Sequence, residues 1–324
     1  MSLPRHLHMA VLLASGSVLV SGGHDSASDA SKRTAELYDP TTNTWTQTGS
    51  MSLPRASHTG VLLPSGKVLV MGEGSLSPTA ELYDPAERRW VPTGAMGIGR
   101  KSTRALVLST GKVLVAGGDP GDPNKPGNAE LYDPATGSWA ATDPSPTRSL
   151  NPEMVLLASG KALFVGGSYR DLRAQADLYD PVSGTWSSAR PMAEARQGHT
   201  ATLLPSGQVL VTGGYAWNTL ATAELYDPQS DTWSSAQPMA QPRVGHTATL
   251  LPSGQVLIAG GRDNDGDLAT AELYDPATGS WSQAKALTEA RGAHVAILLP
   301  SGELLFVGGV RDGRALATVE RYSP

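Results

Sequence analysis

Apolar positions in this chain gather in short runs separated by turn-forming residues, and no stretch offers the roughly 10–12 residues of helical period that an amphipathic helix needs. Residues 199–235 show the pattern. His199 to Leu204 reads as a strand A, Pro205-Ser-Gly207 as a tight turn, and Val209 to Thr212 as a strand B that ends at Gly213-Gly214. After a loop, Ala223 to Tyr226 reads as strand C, and Thr232 to Ser234 as strand D beyond the turn Asp227 to Asp231. The expected fold class is all-β.

The same unit recurs along the whole chain. A Tyr in an ELYDP-like segment stands at Tyr38, Tyr83, Tyr132, Tyr179, Tyr226, Tyr274 and Tyr322, 45 to 49 residues apart. A glycine pair recurs between them, from Gly22-Gly23 to Gly308-Gly309, broken only at Gly72-Glu73. Trp45, Trp90, Trp139, Trp186, Trp233 and Trp281 each follow a Tyr by seven residues, and Tyr322 has no such Trp before Pro324. A four-stranded sheet of this size cannot cover both its faces alone, so successive sheets must stack, and radial stacking closes the array. The expectation is one domain over 1–324, a seven-bladed β-propeller of four-stranded antiparallel blades. The blades fall at about 1–48, 49–93, 94–142, 143–189, 190–236, 237–284 and 285–324, the last without its outer strand.

The double glycine, the Tyr and the Trp seven residues later resemble the kelch-repeat β-propeller family, over essentially the whole chain. The units also look like those of bacterial kelch proteins that read HTATLLPSGKVLVTGG and ATAELYDPATGTW. The resemblance implies the propeller fold; function it leaves open, because kelch propellers include adaptors as well as sugar-modifying enzymes. A more distant likeness to galactose oxidase-type propellers meets an obstacle in composition. The chain has no cysteine, so the Tyr–Cys cross-linked copper cofactor of those enzymes cannot form, nor can any thiolate site. No cofactor is expected.

Composition and charge narrow the partners. Lys and Arg total 25 against 30 Asp and Glu, and a net charge of −5 argues against a general nucleic-acid or anionic-membrane binder. No apolar run approaches the ~20 residues of a spanning helix, and Met1 to Met9 has no secretory h-region. The compartment is left open.

In antiparallel blades the A–B and C–D turns share one face, and the B–C and D–A connections share the other. The A–B turns are near copies, while the B–C loops differ in every unit, and variable loops on a repeated scaffold are where binding resides. The D–A connections carry Arg5, Arg55, Arg100, Arg148, Arg196, Arg243 and Arg291. These rim arginines admit two readings. One is an anion-binding ring, since guanidinium forks match carboxylates and phosphates. The other is a structural pairing with the strand C acids Glu36, Glu81, Glu130, Asp177, Glu224, Glu272 and Glu320. Three residues on stand His8, His58, His199, His246 and His294, with Thr103 and Asn151 in units three and four, and five such copies suit a repeated structural contact.

Departures from the repeat mark the candidate ligand site. Trp217 is the one Trp outside the strand D position, and it shares the blade five loop with Tyr215 and Asn218. The neighbouring blade four loop holds Tyr169, Arg170 and Arg173. An aromatic platform beside polar forks suits a sugar or a peptide anchor. Lys101, and Asn151 with Glu153, set units three and four apart as well. Asp263, Asp265 and Asp267 alternate as calcium ligands would, but an EF-hand loop needs an acid where Tyr274 stands, so a solvated turn is the expectation.

The functional expectation is a binding scaffold that holds a protein, peptide or glycan on the B–C/D–A face and channel mouth. The alternative is an enzyme acting there on a small anionic or sugar substrate, of mutarotase, isomerase or lyase type. Strand C of blade seven, left as an open edge, adds an expectation of homodimerisation or strand capture.

Overall fold

The computed structural model describes residues 1–27, 30–74, 76–121, 129–143, 149–169 and 171–324, with the side chains of 168, 169 and 171 outside the description. Every regular element among them is a β-strand. The innermost strands A are Met9–Leu12, Thr59–Leu62, Arg104–Val107, Glu153–Leu156, Thr200–Leu203, Thr247–Leu250 and Val295–Leu298. Strands B are Val18–Ser21, Val68–Met71, Val113–Ala116, Ala162–Val165, Val209–Thr212, Val256–Ala259 and Leu304–Val307. Strands C are Ala35–Asp39, Ala80–Asp84, Glu130–Asp133, Ala176–Asp180, Ala223–Asp227, Ala271–Asp275 and Val319–Tyr322. Strands D are Thr44–Thr48, Arg89–Pro92, Ser138–Ala141, Thr185–Ala189, Thr232–Ala236 and Ser280–Gln283.

Each set pairs in the order A-B-C-D, antiparallel throughout, to give six four-stranded blades and a seventh of three strands. Each strand A touches the strand A of the next blade, and Val295–Leu298 touches Met9–Leu12, so the ring is closed around a central channel. This is the seven-bladed propeller that the period implies.

The hydrophobic pattern explains where the core sits. Strand B is buried at all four positions in every blade, because a neighbouring blade covers each of its faces. Hence it reads as an unbroken apolar run rather than an alternation. The core is accordingly seven inter-blade clusters. One joins Leu163 and Val165 of blade 4 to Val209, Val211 and Tyr226 of blade 5, and another joins Leu305 and Val307 of blade 7 to Val18, Val20 and Tyr38 of blade 1.

The aromatic repeat builds the outer rim. Tyr on strand C lies directly across from Trp on strand D, with ring centroids 4.9–5.1 Å apart in all six pairs. The indole then reaches the segment that leaves strand D of the preceding blade: Trp90 Nε1 donates to the Gly49 carbonyl at 2.8 Å and Trp233 Nε1 to that of Arg190 at 2.7 Å. Tyr322 lacks a Trp, and its hydroxyl donates to the Lys285 carbonyl at 2.8 Å.

The glycine pair forms the inner junction. The residue in its second position donates its N–H, at 2.8–2.9 Å, to a D–A carbonyl of the next blade at all seven junctions, including Glu73 to Arg100 and Gly309 to Arg5. At five junctions the first glycine lies against the next blade's histidine: a Cβ on Gly213 would stand 2.5 Å from the Arg243 carbonyl and 2.7 Å from His246 Cε1, at a φ of +59°. Only a residue without Cβ permits that approach.

Candidate functional site

The repeated polar residues of the D–A connections are buried in the junctions. Arg5, Arg55, Arg100, Arg196, Arg243 and Arg291 are 0–2% exposed. Each Nη1 donates to the first carbonyl of the glycine pair in its own blade, at 2.6–3.2 Å. Five of them pair with their strand C acid, from Arg100–Glu130 at 2.6 Å to Arg55–Glu81 at 3.3 Å. These six guanidiniums are buried and hydrogen-bonded within the junctions, which follows the structural reading of the rim arginines and leaves none of the six exposed to bind an anion.

Two details of that scheme need correction. Arg291 pairs with Glu289 at 3.4 Å rather than with Glu320, whose carboxylate accepts the amide and hydroxyl of Thr288. In blade 4 the arginine position is held by Ser149, whose hydroxyl donates to the Gly166 carbonyl at 2.6 Å. The interval from rim residue to glycine is 17 in every blade, and Arg148 misses it by one residue; Arg148 itself lies outside the described residues. Asn151 consequently does not occupy the histidine position. Pro152 does, facing Gly117 as His199 faces Gly166.

The histidines belong to the junctions too. His8, His58, His199, His246 and His294 are 2–8% exposed, and burial, reinforced by the adjacent arginine, pushes each imidazole down to about 3. They are neutral at physiological pH.

What remains open on this face differs from blade to blade. In blades 1, 3, 5, 6 and 7 isolated bridges such as Gln197 to Tyr215 and Lys101 to Asp119 tie the D–A connection to the B–C loop of its own blade. In blade 5 the loop is anchored by buried Ala216 and Leu220, and Thr219 donates to Asn264 Oδ1 of blade 6 at 3.1 Å. Trp217 stands out from it at 90% exposure, with Tyr215 at 40% and Asn218 also exposed. Lys101 pairs with Asp119 at 3.5 Å. Arg173 is half-buried, and its backbone braces the blade 5 connection through the Arg196 N–H at 3.2 Å. Arg170 lies outside the described residues, as does the Tyr169 side chain.

The channel mouth is rimmed by Leu7, Ser57, Ser102, Asn151, Gly198, Gly245 and Ala293, all with φ between +48° and +63°. Within it is a cavity of about 480 Å³. Among the described residues Arg104 and Glu153 are the only Arg, Lys, Asp or Glu in its lining, and they pair at 2.6 Å with side chains 41% and 21% exposed. Arg104 was not foreseen. Comparing the first strand A position of each blade finds it, for Met9, Thr59, Thr200, Thr247 and Val295 hold that place elsewhere.

The aspartates of the blade 6 loop do not converge on a common point. Asp263 Oδ1 accepts the N–H groups of Asp265 and Gly266, and its Oδ2 accepts from Gln241; Asp267 Oδ2 accepts the Asp312 N–H. Among the described residues no group of three His, Asp or Glu is placed to hold a metal ion.

Fold and face together define a kelch-type propeller with its variable surface on the B–C/D–A side. The chain belongs to the family of the KLHDC2/KLHL20/DRC7 Kelch-repeats domain, whose model matches residues 152–324, and the Kelch motif matches residues 6–52. Among solved structures it is similar to a fungal alcohol oxidase of the AA5 family in complex with copper. That similarity has a TM-score of 0.85 at 18% identity, over 100% of this chain and 75% of the other, and shows the shared fold. No curated protein matches.

Proposed function

We propose that this protein is a binding scaffold that holds a protein, peptide or glycan across the B–C/D–A face, with its anchor at blades 4 and 5. The observation that carries this reading is Trp217, 90% exposed beside the 40% exposed Tyr215. Of the four large apolar side chains exposed in the described residues, three (Leu7, Tyr215 and Trp217) lie on this face. Exposed aromatics on a polar surface are the usual anchors of an interface. Tyr169, Arg170 and Arg173 supply polar partners from the adjacent loop in this reading. The test is a peptide and glycan array probed with the full chain and with a Tyr215→Ala/Trp217→Ala variant. Loss of at least tenfold in signal supports the placement; unchanged binding overturns it.

A second reading, an enzyme acting on a small sugar or anion, draws on the Arg104–Glu153 pair in the channel mouth. Turnover in a sugar-anomer or dehydration screen, lost in Glu153→Gln, would establish it.

A further inference from the structure

The channel mouth breaks sevenfold repetition twice in one sector. The first break is the pair Arg104–Glu153, which stands where five blades have Thr, Met or Val. The second is in the rim backbone. Ser57 donates its N–H to Leu7, Ser102 to Ser57 and Asn151 to Ser102, and a second arc runs from Ala293 to Gly245 to Gly198. Among the described residues no bond joins Gly198 to Asn151, so one N–H and one carbonyl are left for another partner two residues from Glu153. The rim is also open between Leu7 and Ala293, but there strand A begins with Met9 and Val295.

We propose that this sector binds a neutral polyhydroxylated molecule, a monosaccharide or the terminal unit of a glycan, with Arg104 and Glu153 bridging two adjacent hydroxyls. The proposal rests on the reading of this face as a binding surface. Its argument is one of matching donors and acceptors. A guanidinium only donates and a carboxylate only accepts, whereas each hydroxyl does both. A vicinal diol therefore accepts from Arg104 and donates to Glu153 while the two remain paired at 2.6 Å. An anion would approach Glu153 as closely as Arg104, and a cation the reverse. A zwitterion would have to separate a contact ion pair and desolvate two further charges.

The rest of the lining is consistent with the same class. Thr249 adds a hydroxyl, the Thr200 and Thr247 hydroxyls being held by His246 and His294 at 3.1 and 3.0 Å, Ala201 and Ala248 add small apolar surface, and among the described residues the lining has no further Arg, Lys, Asp or Glu. The volume of about 480 Å³ lies in the roughly 300–1,000 Å³ range of small-molecule sites. Gly198 is one residue from Gln197, which bridges to Tyr215, so a second sugar would extend from the mouth toward the exposed aromatics.

The test uses saturation-transfer NMR and calorimetry on the full chain with D-glucose, D-galactose, D-mannose, glycine, acetate and methylammonium as probes. The decisive variant is Arg104→Thr/Glu153→Thr, which installs the residue that blades 5 and 6 carry and so keeps the fold, as circular dichroism would verify. At least one hexose is expected to bind and the three charged probes not. Glu153→Gln should weaken that hexose at least tenfold, and the double variant should abolish its binding. A hexose bound equally by the double variant, no hexose bound by the natural chain, or preference for glycine overturns the proposal. Should array binding depend on Tyr215 and Trp217 but survive the double variant, the binding face stands and the diol site falls.

Discussion

Gly213 and Gly207 both have left-handed backbone, at φ +59° and +87°, yet only one of them is held by its surroundings. A Cβ at Gly207 meets nothing within 4 Å, whereas at Gly213 it meets the Arg243 carbonyl and His246. Gly207→Ala is therefore expected to lose about 1–2 kcal/mol, the cost of left-handed backbone alone. Gly213→Ala adds overpacking and should lose about 2–5 kcal/mol in all. Urea unfolding of the two variants measures the difference, and equal losses would refute the junction account. At the same scale, sequence reading placed a seventh arginine at Arg148, because an arginine nearby satisfied the expected residue type. The constant interval of 17 to the glycine pair identifies Ser149, since a hydrogen bond between fixed backbone points tolerates no one-residue slip.

Strands D show how a blade is fastened to its neighbour. Trp233 contributes a stacked ring and one indole donor, so Trp233→Phe, which keeps the ring and loses the bond to the Arg190 carbonyl, should cost about 1 kcal/mol. Trp233→Ala should cost about 3–5 kcal/mol. The two unfolding midpoints separate donor from ring. Blade 7 has no such strand within residues 1–324, and Val319–Tyr322 forms its outer edge. The strands themselves were legible in the sequence because strand B is apolar at every position and the turns carry glycine. The mouth pair was half legible: Glu153 stood out, while Arg104 is visible only when the first strand A positions are compared blade by blade.

Ring closure makes the whole molecule sensitive to acid. Five buried histidines line five of the seven junctions, with pKa values pushed from 6.5 to about 3. Between those values the unfolded chain binds protons that the folded chain does not, so stability is full above pH 6.5 and declines as the pH falls. At pH 5.5 the loss is about 1 kcal/mol for each histidine and several kcal/mol over the five, a large share of an ordinary folding free energy. The expected outcome is a melting temperature that falls steeply from pH 6.5 to 5, before most carboxylates titrate. His58→Thr, which copies Thr103 of the next unit, should shallow the slope by one proton. A flat profile in that interval would refute the assignment.

Six of the seven tryptophans are half-buried on the outer rim, and the seventh, Trp217, is 90% exposed on the loop face. The molecule thus carries one solvent-facing fluorophore among six shielded ones. Its red-edge emission, and the part of the signal that acrylamide quenches first, report on the blade 5 loop alone. A ligand seated on this face would blue-shift that component and protect it from quencher, while one held elsewhere would leave the spectrum unchanged.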